Sequence, residues 1–126
     1  MPTVLWVALG GALGSAARHG VNVWSERILG GEFPWHTLIV NVAGAFAMGA
    51  LVELMTLKLD VGQAGRAFLT AGFLGGFTTF SAFALDFAVL AERKAYVAAG
   101  SYAVASVALS LVAIFAGLAL VRSLAA

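Results

Sequence analysis

The sequence predicts an all-α membrane protein made of four spanning helices, and three observations carry that prediction. Of its 126 residues, 62% are hydrophobic and 10% are charged, whereas soluble domains carry about a quarter charged residues. The apolar residues fall into four stretches, each near the ~20 residues that a helix needs to cross a bilayer core. The few charges gather between those stretches. With no sizeable polar segment left over, residues 1–126 read as a single domain embedded in the lipid bilayer.

The first span is expected over residues 4–23. Its apolar start lacks a basic leader region and a cleavage site and runs directly into Arg18 and His19, so it reads as a retained helix and not a signal peptide. The connection SERILGGEFPWH follows, with two glycines and Pro34 supplying turn chemistry. The second span is expected over residues 37–57, the third over 67–90 and the fourth over 96–121. Short links near KLDVGQAGR and AERKA join them. Trp6, Trp24, Trp35 and Tyr96 fall near span ends, where amphipathic rings favour the interface. There is no cysteine, which excludes disulfides and thiolate metal sites. The net charge of +1 argues for no nucleic-acid partner.

Four spans place both termini on one side of the membrane. Lys58, Arg66 and Arg122 then lie on the terminal side, and Arg27, Arg93 and Lys94 on the other. Arg18 joins the second group if its side chain snorkels that way. Orientation follows an imbalance of such residues, and here there is almost none. A chain too small to enclose a pathway and without a preferred orientation is expected to insert both ways and to pair as an antiparallel, dual-topology homodimer. Inverted repeats about a midplane site are a common transport architecture.

The third span contains GFLGGFTTFSAFALDF, residues 72–87. Gly72, Gly75 and Gly76 are poor helix formers, each costing about 1 kcal/mol relative to alanine. One reading is a close-packing face, because Gly72 and Gly76 form a small-xxx-small pair like Gly10 and Gly14 in the first span. The other is a helix break with exposed carbonyls, which membranes tolerate only where backbone is buried or lines a cavity. Thr78, Thr79 and Ser81 follow at once and favour the break. Two inverted copies meeting there would offer carbonyls to a monovalent cation on the two-fold axis. A valine at Gly75 is then expected to crowd the break.

Phe73, Phe77, Phe80, Phe83 and Phe87 recur at helical spacing. Such a stripe can be packing, but the positive ring edges can also line an anion path without holding the ion tightly. Asn41 lies one turn after Thr37, and its amide offers two donors. Ser106 and Ser110 lie one turn apart below Tyr102 and give the fourth span a hydroxylated face. Those serines suit helix–helix hydrogen bonding or a polar path. Glu53 and Asp86 read as end-of-helix charges or as partners for basic groups. His19 and His36 lack a further ligand at useful spacing and carry no metal role. Nothing resembles a nucleophile with its base, a paired-carboxylate site or a phosphate loop, so no enzyme activity is expected.

Taken together, GALGSAAR ending at Arg18, FPWHTLIVNVAGAF containing Asn41, GFLGGFTTFSAF and the Ser106 and Ser110 face resemble the Fluc (CrcB) family of fluoride ion channels. The resemblance covers nearly the whole chain. It implies an antiparallel homodimer in the bacterial cytoplasmic membrane, with two fluoride pores and a structural sodium ion at its centre, that relieves fluoride toxicity by passive export. It implies that Gly75 and Thr78 give backbone carbonyls to sodium and that Phe80 and Phe83 face fluoride. Asn41, Thr79, Ser106 and Ser110 fall along the pore, and Arg18 near a vestibule. The run Ser81, Ala82, Phe83, Ala84 with Asp86 departs from the serine- and threonine-richer family pattern and its glutamate. The alternative, a small multidrug-type proton-coupled transporter, wants a carboxylate within the first span, and residues 4–23 hold none.

Overall fold

The computed structural model describes residues 2–58 and 60–125, and among these every regular element is helical. Helix α1 spans Thr3–Leu29, α2 Trp35–Leu57, α3 Gly62–Ala67, α4 Gly75–Phe77, α5 Phe80–Glu92 and α6 Tyr96–Ala125. A π-helical segment, Phe68–Leu74, joins α3 to α4. Three stretches, Trp35–Leu57, Gly62–Glu92 and Tyr96–Leu124, are long and apolar enough to cross a membrane. α1 has the length, but Arg18, His19 and Asn22 interrupt it and leave it the least apolar of the four. The protein is a multi-pass membrane protein.

The helices run past the expected boundaries because apolarity ends before helix propensity does. α1 continues through Glu26 and Arg27, both adequate helix formers. It stops where Gly30 adopts φ 80°, a backbone that a side chain would strain. The third stretch begins at Gly62, before the apolar run, and ends at Glu92.

Two close helix pairs organise the chain. α1 packs on the π segment and α4, while α2 packs along α6. Glycine lets backbones touch in both. A methyl at Gly10 or Gly14 would fall on the carbonyl oxygens of Phe68 and Phe73, and one at Gly76 would come within 2.7 Å of the Gly11 oxygen. Gly49 and Gly117 play the same part between α2 and α6, against Ile114 and Phe46. In lipid no hydrophobic force draws helices together, so such close contact and its dispersion energy carry the association. Glu53, buried on α2, is tied to Arg122 on α6 by an ion pair of 3.2 Å.

Gly75 differs from its neighbours. It is exposed, and a methyl there would meet only the Thr70 oxygen, at an ordinary 3.5 Å. Within one chain a Cβ at 75 is therefore not crowded. Gly72 and Gly76 pack against α1, and Gly75 faces away from that contact.

Candidate functional site: an open cavity beside two extended threonines

Two residues separate α4 from α5. Thr78 has φ −92° and ψ 161°, and Thr79 has φ −156° and ψ 123°, both extended. Backbone groups that a helix would pair must find other partners here, and side chains from two further helices supply them. The Asn41 side chain of α2 grips Thr79 twice. The Thr79 N–H donates to Asn41 Oδ1 at 2.8 Å, and Asn41 Nδ2 donates to the Thr79 oxygen at 3.0 Å. This pairing fixes which way the amide points and leaves one Nδ2 hydrogen free. Arg18 Nε of α1 donates to the Gly76 oxygen at 3.0 Å. The Thr79 hydroxyl caps α5 by accepting from the Ala82 N–H at 3.1 Å. Thr78 Oγ1 donates to the Leu74 oxygen at 2.9 Å, while its methyl sits against Gly44.

Beside this junction lies a cavity of about 350 Å³. Its polar lining is Asn41, Thr78, Thr79, Ser106 and Ser110, and its aromatic lining is Phe80 and Phe83. Every residue that the sequence singled out for the pore thus borders one space. Ser106 Oγ is buried and has no hydrogen-bond partner within the chain. The rings of Phe80 and Phe83 lie 5.5 Å apart at 42°. Phe80 is 79% exposed, so one chain leaves the cavity open on that flank. No ionisable side chain borders it among the described residues.

The space can accommodate a small anion but cannot trap one. Hydroxyl and amide hydrogens substitute for lost waters, ring edges offer weak positive charge, and no fixed cation holds the ion.

A second cavity of about 220 Å³ shares Thr79 with the lining of the first. Arg18, His19, Asn22, His36 and Thr37 line it. The expectation that Arg18 stands near a vestibule fits this position. Its Nε is committed to the Gly76 oxygen, which ties the side chain to the third span.

Sequence reasoning missed how Asp86 is used. Its Oδ2 accepts from Thr37 Oγ1 at 2.6 Å and from the Tyr102 hydroxyl at 3.2 Å. Thr37 and Tyr102 are fully buried, and the Tyr102 ring packs on Phe83 at 5.1 Å and edge-on to Phe33. This acid is thus no end-of-helix charge. It joins α2, α5 and α6 behind the Phe83 ring. The spacing of Thr37 from Asn41 and of Tyr102 from Ser106 put both residues on the faces that carry the cavity, but only the fold brings Asp86 to them.

Gly75 and Thr78 were expected to hold sodium, and their surroundings fit a cation that takes neutral oxygens. The Thr79 N–H, which would pair with the Gly75 oxygen in a continuous helix, is committed to Asn41. Gly75 also presents an exposed, side-chain-free backbone. The Thr78 side chain is committed to Leu74, so its carbonyl is the group left to offer. Carbonyl oxygens of this kind suit a monovalent cation.

A family model described as CrcB-like protein, Camphor Resistance (CrcB), matches residues 5–118. Relatives named Fluoride-specific ion channel FluC include one from Rhizobium etli, 52% identical over 124 residues that cover 98% of this chain and 99% of that protein. One from Chelativorans sp. is 54% identical over 121 residues, covering 96% and 97%. One from Rhizobium meliloti is 48% identical over 124 residues, covering 98% and 99%. On a match that spans the cavity, the junction and all the long helices, this chain belongs to the CrcB family.

Proposed function

We propose that the protein is a fluoride-selective ion channel, not an enzyme, that exports fluoride passively across the bacterial cytoplasmic membrane and so relieves fluoride toxicity. The observation that carries this reading is the convergence of Asn41, Thr79, Phe80, Phe83, Ser106 and Ser110 on one uncharged cavity. The relatives, named as fluoride-specific ion channels, supply the identity of the ion. Fluoride enters past Arg18, passes Thr79 and meets the unpartnered Ser106 hydroxyl and the second Asn41 N–H, while Phe80 and Phe83 turn ring edges toward it. Weak, multiple contacts let the ion leave as readily as it enters.

The functional unit in this reading is an antiparallel, dual-topology homodimer with two pores. Basic residues are nearly balanced across the two sides, and one chain leaves Phe80 uncovered at the cavity flank. The third span is broken at Thr78 and Thr79, and Gly75 and Thr78 of both copies face each other across the axis to hold one structural sodium ion. When bound, that ion supplies positive charge to opposed carbonyl dipoles that would otherwise repel. Each chain contributes the exposed Gly75 surface and the Asn41 clamp that keeps Thr79 out of the helix.

The experiment is fluoride and chloride efflux from liposomes containing only this chain, read with ion-selective electrodes. Fluoride should leave without any proton gradient while chloride stays. Efflux of neither ion, or efflux that needs a proton gradient, would overturn the reading.

A further inference from the structure

Four-residue spacing puts Gly10, Gly14 and Arg18 on one face of α1. The two glycines let that face reach the backbone of the third span, where a methyl at Gly14 would fall on the Phe73 oxygen. One turn further on, Arg18 arrives beside α4 where the helix ends, and its Nε donates to the Gly76 oxygen at 3.0 Å. The last carbonyls of a helix lack partners within it and carry partial negative charge, so a guanidinium suits them. The neighbouring carbonyls fare differently. The Leu74 oxygen accepts from the Thr78 N–H at 3.0 Å and from Thr78 Oγ1 at 2.9 Å, and the Thr79 oxygen accepts from Asn41 Nδ2. The donors that a continuous helix would turn to Gly75 and Thr78 are the N–H groups of Thr79 and Ala82. Both are bonded elsewhere, to Asn41 Oδ1 and Thr79 Oγ1. Side-chain bonds thus sort the carbonyls of the junction: those of Leu74, Gly76 and Thr79 are engaged, while those of Gly75 and Thr78 have lost their helical donors.

We infer that Arg18 is a positioning residue for the monovalent-cation site at Gly75 and Thr78, acting through the Gly76 carbonyl. This rests on the sodium reading above and goes beyond it by giving the first span a part in the site. Gly75 has helical backbone, φ −62° and ψ −38°, so its carbonyl and that of Gly76 are held about 100° apart around the helix axis. Anchoring the Gly76 oxygen to α1 therefore fixes the direction of the Gly75 oxygen as well. The same bond withdraws the Gly76 oxygen from coordination, which leaves Gly75 and Thr78 as the pair on offer. Asn41 does the corresponding work on the far side of the break, at Thr79. A guanidinium acts on a cation directly only by repulsion. Any benefit of Arg18 to the site must run through the peptide that it holds, and this gives the two roles opposite signs.

The test is dimer retention on size exclusion in detergent, titrated with sodium against a bulky organic cation at constant ionic strength. Arg18→Gln loses the charge and the Nε bond together and should need roughly ten-fold more sodium than wild type for half retention. Full retention at saturating sodium and unchanged helicity by circular dichroism show that the variant is folded. Arg18→Lys, which keeps the charge but replaces the planar fork by a flexible ammonium, should fall between the two. Were Arg18 to act by charge alone, its loss would relieve repulsion and lower the sodium requirement. A requirement in Arg18→Gln equal to or below that of wild type would therefore overturn the inference and leave the sodium site intact. If Arg18→Gln loses its helicity, Arg18→Lys decides by the same criterion. Wild-type retention that is indifferent to sodium would instead overturn the sodium reading and this inference with it.

Discussion

Asn41 does more than stand in the cavity. Both atoms of its amide are bonded to the backbone of Thr79, so the residue builds the junction as well as lining the space beside it. Asn41→Ala should destabilise the protein by about 1–3 kcal/mol for each half-buried backbone group left unpaired, measured by thermal or denaturant unfolding in detergent. Asn41→Asp keeps the acceptor but sets a carboxylate oxygen against the Thr79 carbonyl oxygen. The loss of flux expected of this variant therefore mixes damage to the junction with repulsion of the anion. Ser106 offers the cleaner probe. Because its hydroxyl has no partner, Ser106→Ala should leave stability within about 0.5 kcal/mol of wild type while slowing fluoride efflux, and liposome flux beside melting curves checks both. The hydroxyls and the asparagine were legible in the sequence as polar groups at costly depth. The Thr79 partnership was not, because it joins residues 38 positions apart.

At the level of elements, the glycines separate into two kinds that sequence spacing alone cannot distinguish. Gly10, Gly14, Gly72 and Gly76 let α1 and the third span touch backbone to backbone, as their four-residue spacing suggested. Gly49 and Gly117 do similar work between α2 and α6 without advertising it by a paired glycine motif, while Gly44 makes room for the Thr78 methyl. Gly75 has free space within the chain. Gly14→Val should therefore cost on the order of 1–3 kcal/mol or more through overpacking and reduce the yield of folded protein. Gly75→Val should preserve helicity by circular dichroism yet weaken dimer retention on size exclusion in sodium. Replacing sodium by a bulky organic cation should weaken the wild-type dimer in the same way. If Gly75→Val behaves as wild type in both assays, the sodium site lies elsewhere. The π-helical segment over Phe68–Leu74, which packs on α1, was not anticipated from the sequence.

For the whole molecule, apolar stretches between charge clusters were enough to place the long helices, because a span without water must satisfy its backbone internally and a helix does so by itself. Helix ends were less legible, since α1 and α6 extend beyond their apolar cores. Charge balance predicts insertion in both orientations. A C-terminal tag probed in intact cells should be reached in about half of the chains, and a one-sided population would exclude an inverted dimer. The central claim, however, is that the cavity beside Thr78 and Thr79 is the fluoride path, and the two phenylalanines decide it. Methionine adapts to irregular space, so Phe80→Met, Phe83→Met should remain an assembled dimer whatever the rings do. Fluoride efflux from liposomes containing that double variant should fall at least about tenfold, the loss of roughly 1.4 kcal/mol of barrier lowering. Efflux at the wild-type rate would contradict the account and leave the aromatic stripe as packing.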